Sequence, residues 1–268
     1  MSSMVPPEVE WAALLVSIGA LLVASVSDLK TREVSNRVWL VYGPVAALLF
    51  ITRTVFSLGD PQILLEMLVS AGATITVAFL LFQFGVMGGA DSKALMCLGL
   101  ALPVPPAVIS SWWQAPFPLY PYPIAILANS FLLSIASGVF ILVRNLVKGI
   151  NFQGFERESL LRKLMVLFTS YKTSFGVLQS SNYLYPAEQV DLVESKPVRH
   201  FRLFSSAEEE HDKLVSSLEN YRAQGLFSDG VWVTPGLPHL VFLTASLVTV
   251  LLVGDLLMWG FFGIVGYS

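Results

Sequence analysis

The chain has little charge and almost no cysteine, and each shortage excludes a class of protein. Asp, Glu, Lys and Arg make up 13% of the 268 residues, whereas 54% are apolar, which lies well outside the range of soluble domains. The net charge of −3 and the lack of a basic stripe interleaved with aromatics argue against a nucleic-acid partner. The single cysteine, Cys97, allows neither an intramolecular disulfide nor a thiolate metal cluster. The composition therefore predicts a protein whose solvent is the lipid bilayer.

Histidine is also scarce, which limits the chemistry that the chain can perform. His200, His211 and His239 lack the spacing of metal ligands. The serines of the apolar part have no histidine partner of the kind that serine hydrolases need. We therefore expect no metal site, no cofactor and no serine-type catalysis.

Six apolar stretches approach the roughly 20 residues that a helix needs to cross the hydrocarbon core. The fourth is interrupted by Pro103, Pro105 and Pro106, each of which removes a backbone donor that lipid cannot replace. That stretch is either a full span or a short helix followed by irregular chain. We predict an all-α integral membrane protein with about six transmembrane helices, namely Trp11–Ser27, Val38–Phe56, Ile63–Val86, Ala94–Ser111, Tyr122–Val143 and Leu237–Phe262.

A polar region separates the fifth and sixth predicted helices. Between Val147 and Gly230 the chain carries 11 acidic and 10 basic residues, a composition typical of a soluble domain. We predict a small cytoplasmic α+β domain at 147–236, with transmembrane helices 1–5 in 1–146 and helix 6 in 237–268. Loose alternation from Val190 to Phe204 favours short strands.

Two helices are predicted within this polar region. In 156–171, apolar residues share one helical face beside basic residues, which predicts a helix lying on the bilayer surface. Ser206 and Glu209 fit a capping box that opens a second helix running to about Ala223. The apolar face of the first helix consists of Leu160, Leu161, Leu164, Leu167 and Phe168, beside Arg157, Arg162 and Lys163.

The distribution of Lys and Arg predicts the orientation of the chain. In the six-helix arrangement, fifteen of the sixteen Lys and Arg residues lie on one side, and the exception is Arg53. Cytoplasmic segments carry the excess of basic residues. We therefore expect a multi-pass protein of the cell membrane, with the polar domain in the cytoplasm and both termini outside.

Two aspartates are predicted at the cytoplasmic ends of these helices. Asp28 directly follows the first apolar stretch, and Asp91 lies between the third and fourth. A carboxylate near the membrane is costly to keep ionised, so two of them at matching depth can share a proton. One then acts as base and the other as acid, as in aspartyl proteolysis.

The residues around Asp91 allow two interpretations. Glycines at 85, 88 and 89 permit a bend and the close approach of another backbone, such as an extended substrate. Alternatively, Gly88 and Gly89 form a tight turn, Asp91 caps the next helix and Lys93 extends to the membrane surface. Asp28 taken alone likewise fits the end of a helix in a charged loop.

Together, the two aspartate segments are similar to those of a known family. A helix ending in Ser27-Asp28-Leu29-Lys30, followed by Gly88-Gly89-Ala90-Asp91-Ser92-Lys93, resembles the aspartyl membrane peptidases that mature type IV prepilins and archaeal flagellins. Within that group the chain most resembles the archaeal preflagellin peptidases. A six-helix plan, a cytoplasmic domain before the last helix and the run Val231–Pro235 agree with the resemblance, which is weak across the polar domain.

The resemblance implies an enzyme, its catalytic residues and its substrate. It implies that Asp28 and Asp91 are the catalytic pair of an aspartic-type endopeptidase that removes short basic leaders from membrane-inserted preproteins at the cytoplasmic face. Gly88, Gly89, Ala90 and Lys93 would support the motif. The chain departs from the family's Gly-x-Gly-Asp pattern at Ala90, and alanine tolerates positive φ less readily than glycine.

A third carboxylate lies inside the last apolar stretch. Asp255 is surrounded by leucines, valine and glycine, where an ionisable group is expensive and suggests function. Its depth differs from that of the other two aspartates, so we expect a structural role, hydrogen-bonded to a neighbouring helix. Asn129 in the fifth predicted helix is a candidate partner.

Two other functions remain open at this point. Asp28 and Asp91 would serve equally in a small transporter that moves protons or a cation, although the second to fourth helices lack polar groups at mid-membrane. A structural subunit that holds a pilus or flagellar base would need neither aspartate.

Overall fold

A computed structural model of the protein describes residues 5–110, 120–181, 183–193, 196–202 and 211–265. It consists of two compact units. The first comprises Met1–Ser134 and Pro238–Ser268, and the second comprises Ile135–Leu237. The long helix Tyr122–Lys148 begins in the first unit and ends in the second.

The first unit is helical. Four helices are long and apolar enough to cross a membrane, or five if a bent pair near the end of the chain forms one span. The predicted helical character is thus confirmed, whereas the predicted count of six spans is not. The helices are α1 (Pro7–Thr31), α2 (Asn36–Phe56), α3 (Pro61–Gln83), α4 (Gly89–Ala101), α5 (Ala107–Ser110), α6 (Tyr122–Lys148), α10 (His239–Leu252) and α11 (Leu256–Val265).

The fourth predicted helix is shorter than a membrane span. α4 has 13 residues and is therefore about 20 Å long, against a hydrocarbon core of about 30 Å. Beyond it, the prolines prevent helix and the chain is irregular up to α5. Polar partners meet this backbone, as membrane proteins require. Ser70 donates to the Pro103 carbonyl, and the Val108 N–H donates to Glu10 Oε2 at 2.8 Å.

The last predicted helix is broken. α10 and α11 meet at an angle of 55°, because Gly254 adopts a φ of 93° that ends helical geometry. Asp255 then begins α11, accepting hydrogen bonds from the N–H groups of Leu257 at 2.9 Å and Met258 at 3.3 Å.

Small residues allow the helices of this unit to approach closely. α1 packs against α2, α4 and α10, and Ala13, Ala24 and Ala94 are fully buried where these helices meet. Tyr42 of α2 donates to Ser17 of α1 at 2.8 Å. Large apolar side chains point outward instead, as expected for surfaces that lipid covers. Examples are Leu15, Leu40, Leu65 and Phe79.

A buried ion pair links α1 to α2. The Arg53 guanidinium is 3.9 Å from Glu10, and the two side chains are 1% and 5% exposed. Arg53, which we expected to be the one outer cation, is therefore enclosed in protein and compensated. Pairing of this kind is the usual condition for a charge in an apolar interior.

The second unit contains the end of α6 and a small α/β region. Its remaining elements are α7 (Leu160–Thr169), β1 (Tyr171–Thr173), α8 (Phe175–Gln179), β2 (Leu184–Pro186), β3 (Glu188–Val193), β4 (Lys196–Phe201), α9 (His211–Ala223) and β5 (Val231–Pro235). The strands predicted near 190–204 are present as the β3–β4 hairpin. The helix predicted to end near Ala223 is α9, and its predicted capping box at Ser206 and Glu209 lies outside the described residues.

Strand β5 is the centre of this unit. It pairs antiparallel with β1 on one side and β2 on the other. Val231 and Val233 face one apolar cluster with Phe175, Leu178 and other residues. Trp232 faces a second cluster that includes Val166 and Leu167 of α7. Because β5 is buried on both faces, it joins the two clusters into one structure.

Arg199 is the main polar anchor of the second unit. It donates to Glu188 at 2.6 and 2.9 Å and to Asp229 at 2.8 Å. Burial raises the pKa of Glu188 despite these bonds. Burial also opposes ionisation of Asp229, but bonds from Lys172 and Arg199 outweigh it and hold the pKa of Asp229 below its usual value. The network satisfies the charges that the fold encloses.

Candidate active site

Asp28 lies in the last turn of α1 beside the beginning of α10. Its carboxylate lies near the backbone N–H of Leu240 and interacts electrostatically with Asp91, Arg32 and His239. Ser25, one turn earlier, fixes this arrangement. It donates to the Leu240 carbonyl at 3.0 Å and is 2.7 Å from the Thr244 hydroxyl. The last turn of α1 is thereby tied to the first turns of α10.

Asp91 lies in the first turn of α4, whose N-cap is Gly88. Ser92 strengthens this turn, because its hydroxyl donates to the Gly88 carbonyl at 3.0 Å. Lys93 donates to Asn36 Oδ1 at 2.7 Å, linking the beginning of α4 to that of α2. The sequence segment that we singled out therefore forms one compact helix start.

The structure gives the two glycines before Asp91 ordinary backbone angles. Gly88 has a φ of −65°, and Gly89 and Ala90 are helical, so none of these three positions needs the positive φ that glycine adopts readily. Positive φ in this turn occurs at Gly85, at 68°. A Cβ at Gly88 would lie 3.1 Å from Asp91 Oδ2. Gly88 thus gives space to the carboxylate, and Ala90 is accommodated without strain.

His239 is a site residue that the sequence reasoning missed. It is the first residue of α10, and its Nδ1 atom is 3.6 Å from Asp91 Oδ1. Its Nε2 atom is 3.2 Å from Ser130 Oγ, and its ring packs against Phe131 with centroids 5.3 Å apart. We considered His239 only as a metal ligand. Its position after Pro238, where a predicted span begins on the side of the aspartates, was the available signal.

These residues form one cluster of titratable groups in the first unit. Asp91 and His239 are each 18% exposed, so solvent or a substrate reaches them while most of their surface is enclosed by protein. Two interacting carboxylates beside an imidazole can hold protons and pass them to a bound molecule. The arrangement is suited to acid–base chemistry.

Asp255 and Asn129 lie apart from this cluster. α10 has 14 residues, about 20 Å, and Asp255 follows its end, whereas His239 begins it. Asp255 is fully buried and accepts a hydrogen bond from the Tyr120 hydroxyl. Asn129 bonds the backbone on either side of Asp255, donating to the Gly254 carbonyl and accepting from the Leu256 N–H, both at 3.0 Å. Both side chains therefore provide hydrogen-bond partners for backbone groups at the break between α10 and α11.

Two family models match separate segments of the chain. The model described as "Type IV leader peptidase family" matches residues 15–143, which include both aspartates. A second model, "Archaeal Peptidase A24 C-terminus Type II", matches residues 162–256, which include His239. Two separate models of peptidase A24 thus match in the order expected along one chain.

Curated relatives are similar along most of the chain. The preflagellin peptidase of Methanocaldococcus jannaschii is 24% identical over 253 residues, 92% of this chain and 95% of that protein. That of Methanococcus voltae is 25% identical over 249 residues, 91% of this chain and 95% of that protein. The resemblance inferred from the two aspartate segments is confirmed, and the long apolar helices together with these matches indicate a membrane protein. The chain belongs to the type IV leader peptidase family of proteases.

Proposed function

We propose that the protein is an aspartyl endopeptidase that removes short basic leader peptides from preflagellin or similar preproteins. The observation that carries this proposal is that Asp28 and Asp91 lie close enough to interact electrostatically, beside the first turn of α10. The sequence predicted that the two carboxylates lie at matching depth and share a proton. Their interaction supports a shared duty in one reaction.

The chemistry follows from a pair that holds one proton. One carboxylate takes a proton from water, whose oxygen attacks the scissile carbonyl carbon. The other donates a proton to the carbonyl oxygen, and the first then gives the proton that it took from water to the leaving amine. Both groups must therefore reach the same peptide bond, which the partial exposure of Asp91 permits.

The reaction takes place at the cytoplasmic face of the cell membrane in this proposal. In the six-helix arrangement that the sequence predicts, fifteen of the sixteen Lys and Arg residues lie on the side of the two aspartates, and the positive-inside rule supports a cytoplasmic position for that side. The partner is a preprotein whose apolar segment stays in the bilayer while its leader extends into the cytoplasm. A site at the ends of α1 and α4 is suited to that boundary.

A cleavage assay tests the proposal. Purified full-length protein in detergent is incubated with a preflagellin, and the product is weighed by mass spectrometry. We expect a loss of mass equal to the leader, and no loss with Asp28→Asn or Asp91→Asn. Failure of the wild-type protein to release the leader, with a relative from the same family active under the same conditions, contradicts the proposed function.

A further inference from the structure

The imidazole of His239 has one satisfied nitrogen and one unsatisfied nitrogen. Within the part of the chain that the structure describes, the buried Nδ1 atom makes no hydrogen bond, and it lies 3.6 Å from Asp91 Oδ1. Leaving a buried polar atom unbonded costs free energy, so such atoms are rare in native proteins. In enzymes without substrate, catalytic hydrogen bonds are often longer than in the reacting complex. The 3.6 Å distance between Nδ1 and Asp91 Oδ1 is longer than a hydrogen bond in this way.

The hydrogen bonds of Ser130 indicate where the ring carries its proton. A serine hydroxyl has one hydrogen to donate, and Ser130 donates it to the Leu127 carbonyl at 2.6 Å. Towards His239 Nε2, 3.2 Å away, Ser130 can therefore only accept. Nε2 carries a hydrogen, and the Nδ1 of the neutral ring presents a lone pair to Asp91.

A lone pair and an ionised carboxylate repel each other unless a proton lies between them. His239 and Asp91 are thus compatible when they share one proton, either as imidazole and carboxylic acid or as imidazolium and carboxylate. Asp28 interacts with Arg32 as well as with Asp91 and His239. Because the pair holds one proton, a proton shared by His239 and Asp91 leaves Asp28 as the carboxylate without one.

We propose that His239 is a positioning residue that keeps one proton on the Asp91 side of the pair, so that Asp91 is the acid and Asp28 is the base. This assignment rests on the proposed function. Asp28 takes a proton from water as the water oxygen bonds to the carbonyl carbon, and the shared proton moves through Asp91 to the carbonyl oxygen. Asp28 then gives its proton to the amine nitrogen, the C–N bond breaks, and a diol proton returns to Asp91. Both carboxyl groups end as they began.

The charged groups around His239 are few among the described residues. Asp91 faces it from α4, and Asp28 faces it from α1 with Arg32 beyond. From α6 it meets Ser130 and Phe131, which are uncharged. The proton balance of the site therefore depends on Asp28, Asp91 and His239.

Three variants of the full-length enzyme test the proposal by cleavage of preflagellin across a range of pH. In His239→Phe the ring still packs on Phe131, but no nitrogen shares the proton. We expect kcat to fall about 10²-fold with KM nearly unchanged, and the alkaline limb of the pH profile to move to lower pH because the site loses its shared proton more readily. In His239→Asn the side-chain carbonyl can accept from protonated Asp91, so much of kcat should return. Ser130→Ala should move the alkaline limb in the same direction by a smaller amount.

The outcomes separate this proposal from the proposed function. Wild-type kcat and an unmoved alkaline limb in His239→Phe overturn the role of His239, while inactivity of Asp28→Asn would still support an aspartyl protease. If His239→Asn is as poor as His239→Phe and Ser130→Ala is unchanged, proton sharing between His239 and Asp91 is overturned. Size-exclusion profiles verify folding of each variant, and Ser130→Ala provides a test that leaves the ring itself in place. A wild-type protein that releases no leader overturns the proposed function itself.

Discussion

At the scale of single residues, Asp28 and Asp91 are positioned by different structural features. Asp28 is held through backbone and hydroxyl contacts between α1 and α10, formed by Leu240, Ser25 and Thr244. Asp91 is held by the start of a helix and by the space that Gly88 leaves. The contacts that position Asp28 thus differ from those that position Asp91, so a substitution at one aspartate leaves the contacts of the other in place.

The first prediction concerns the two carboxylates. Asp28→Asn and Asp91→Asn should each lower kcat/KM by about 10² to 10⁴-fold, because an amide keeps the shape but does not exchange a proton. The double variant should be scarcely worse than either single one, since the two groups act as a unit. Steady-state kinetics on preflagellin measures this. A tenth of the wild-type rate in either single variant is incompatible with the aspartyl mechanism.

The wild-type enzyme adds a matching observation. Its kcat/KM should depend on pH as a bell, because the pair works with one proton and fails with none or two. The two apparent pKa values of such a profile belong to the coupled pair of carboxyl groups rather than to one residue. A profile that rises through a single limb and then stays level would contradict a shared proton.

The second prediction distinguishes the two glycines before Asp91. A Cβ at Gly88 would lie 3.1 Å from Asp91 Oδ2, whereas one at Gly89 would meet Phe82 at an ordinary 3.4 Å. Gly88→Ala should displace the carboxylate by a few tenths of an ångström and lower kcat about tenfold, since misplacement by about 1 Å can cost 10²-fold. Gly89→Ala is the matched control and should remain near wild type. Equal kcat values for the two variants would refute this role of Gly88.

The residues of the site differed in how far the sequence revealed them. Asp28 and Asp91 could be predicted because each ends or begins an apolar stretch on the basic side of the chain. His239 could not be assigned in the same way, because Ser130 is 109 positions from it and only tertiary packing brings them together. The role of Gly88 could not be predicted from the sequence, because a glycine can be required for space as well as for φ.

At the scale of elements, α7 differs from the other helices of the second unit by facing outward with apolar side chains. Leu160, Leu161, Leu164, Met165 and Phe168 are between 41% and 75% exposed. Its inner face carries only Val166 and Leu167 as buried residues. An outward apolar face of this size on a soluble surface is unusual.

The neighbours of α7 indicate what covers this face. A Cβ on Gly138 of α6 would lie 3.2 Å from the Phe168 carbonyl, so α7 lies against a helix that is itself a candidate membrane span. Asn145 of the same helix donates to the carbonyls of Leu167 and Ser170 at 3.0 and 2.8 Å. The apolar face of α7 therefore continues the apolar surface of α6, as a helix at the bilayer surface would.

The third prediction tests the position of α7 with spin labels in lipid nanodiscs. A label on Leu164→Cys should be accessible to oxygen and protected from a water-soluble nickel complex, because it dissolves in the acyl region. Leu192→Cys is the control, since Leu192 is 66% exposed on the β3–β4 hairpin of the same unit and should show the reverse preference. Identical accessibility at both positions would place α7 in water.

Helices could be predicted from the sequence better than their interruptions could. Apolar length alone located α1, α2, α3 and α6. The length of α4 depends on the three prolines that follow it. The break after α10 depends on the backbone conformation of one glycine, which a hydropathy pattern does not reveal. Side chains such as Asn129 make the break tolerable, and they are visible only once the helices are packed.

At the scale of the whole molecule, the orientation of the chain determines where the reaction occurs. Asp28 and Asp91 interact, so the end of α1 and the beginning of α4 lie close together. Lys30 and Lys93 are near them in sequence. In the proposed orientation, which rests on the distribution of basic residues, this end of the helices faces the cytoplasm.

The fourth prediction is a labelling experiment in intact cells, in a Cys97→Ser background. A membrane-impermeant maleimide should react at Leu58→Cys, because the proposed orientation places the turn between α2 and α3 outside. Lys30→Cys and Ser180→Cys should react only after the cells are permeabilised. Reaction of Lys30→Cys in intact cells would place the site outside and contradict a cytoplasmic reaction.

The ion pair between Glu10 and Arg53 has a consequence for how the protein is made. Neither α1 nor α2 can enter lipid alone without carrying an unpaired charge towards the hydrocarbon, which is costly. As a helical hairpin they neutralise each other, since Glu10 and Arg53 lie 3.9 Å apart. The α1–α2 hairpin is thus the smallest unit that the insertion machinery can release with both charges compensated. Biogenesis would accordingly proceed by delayed release of α1 until α2 has been synthesised.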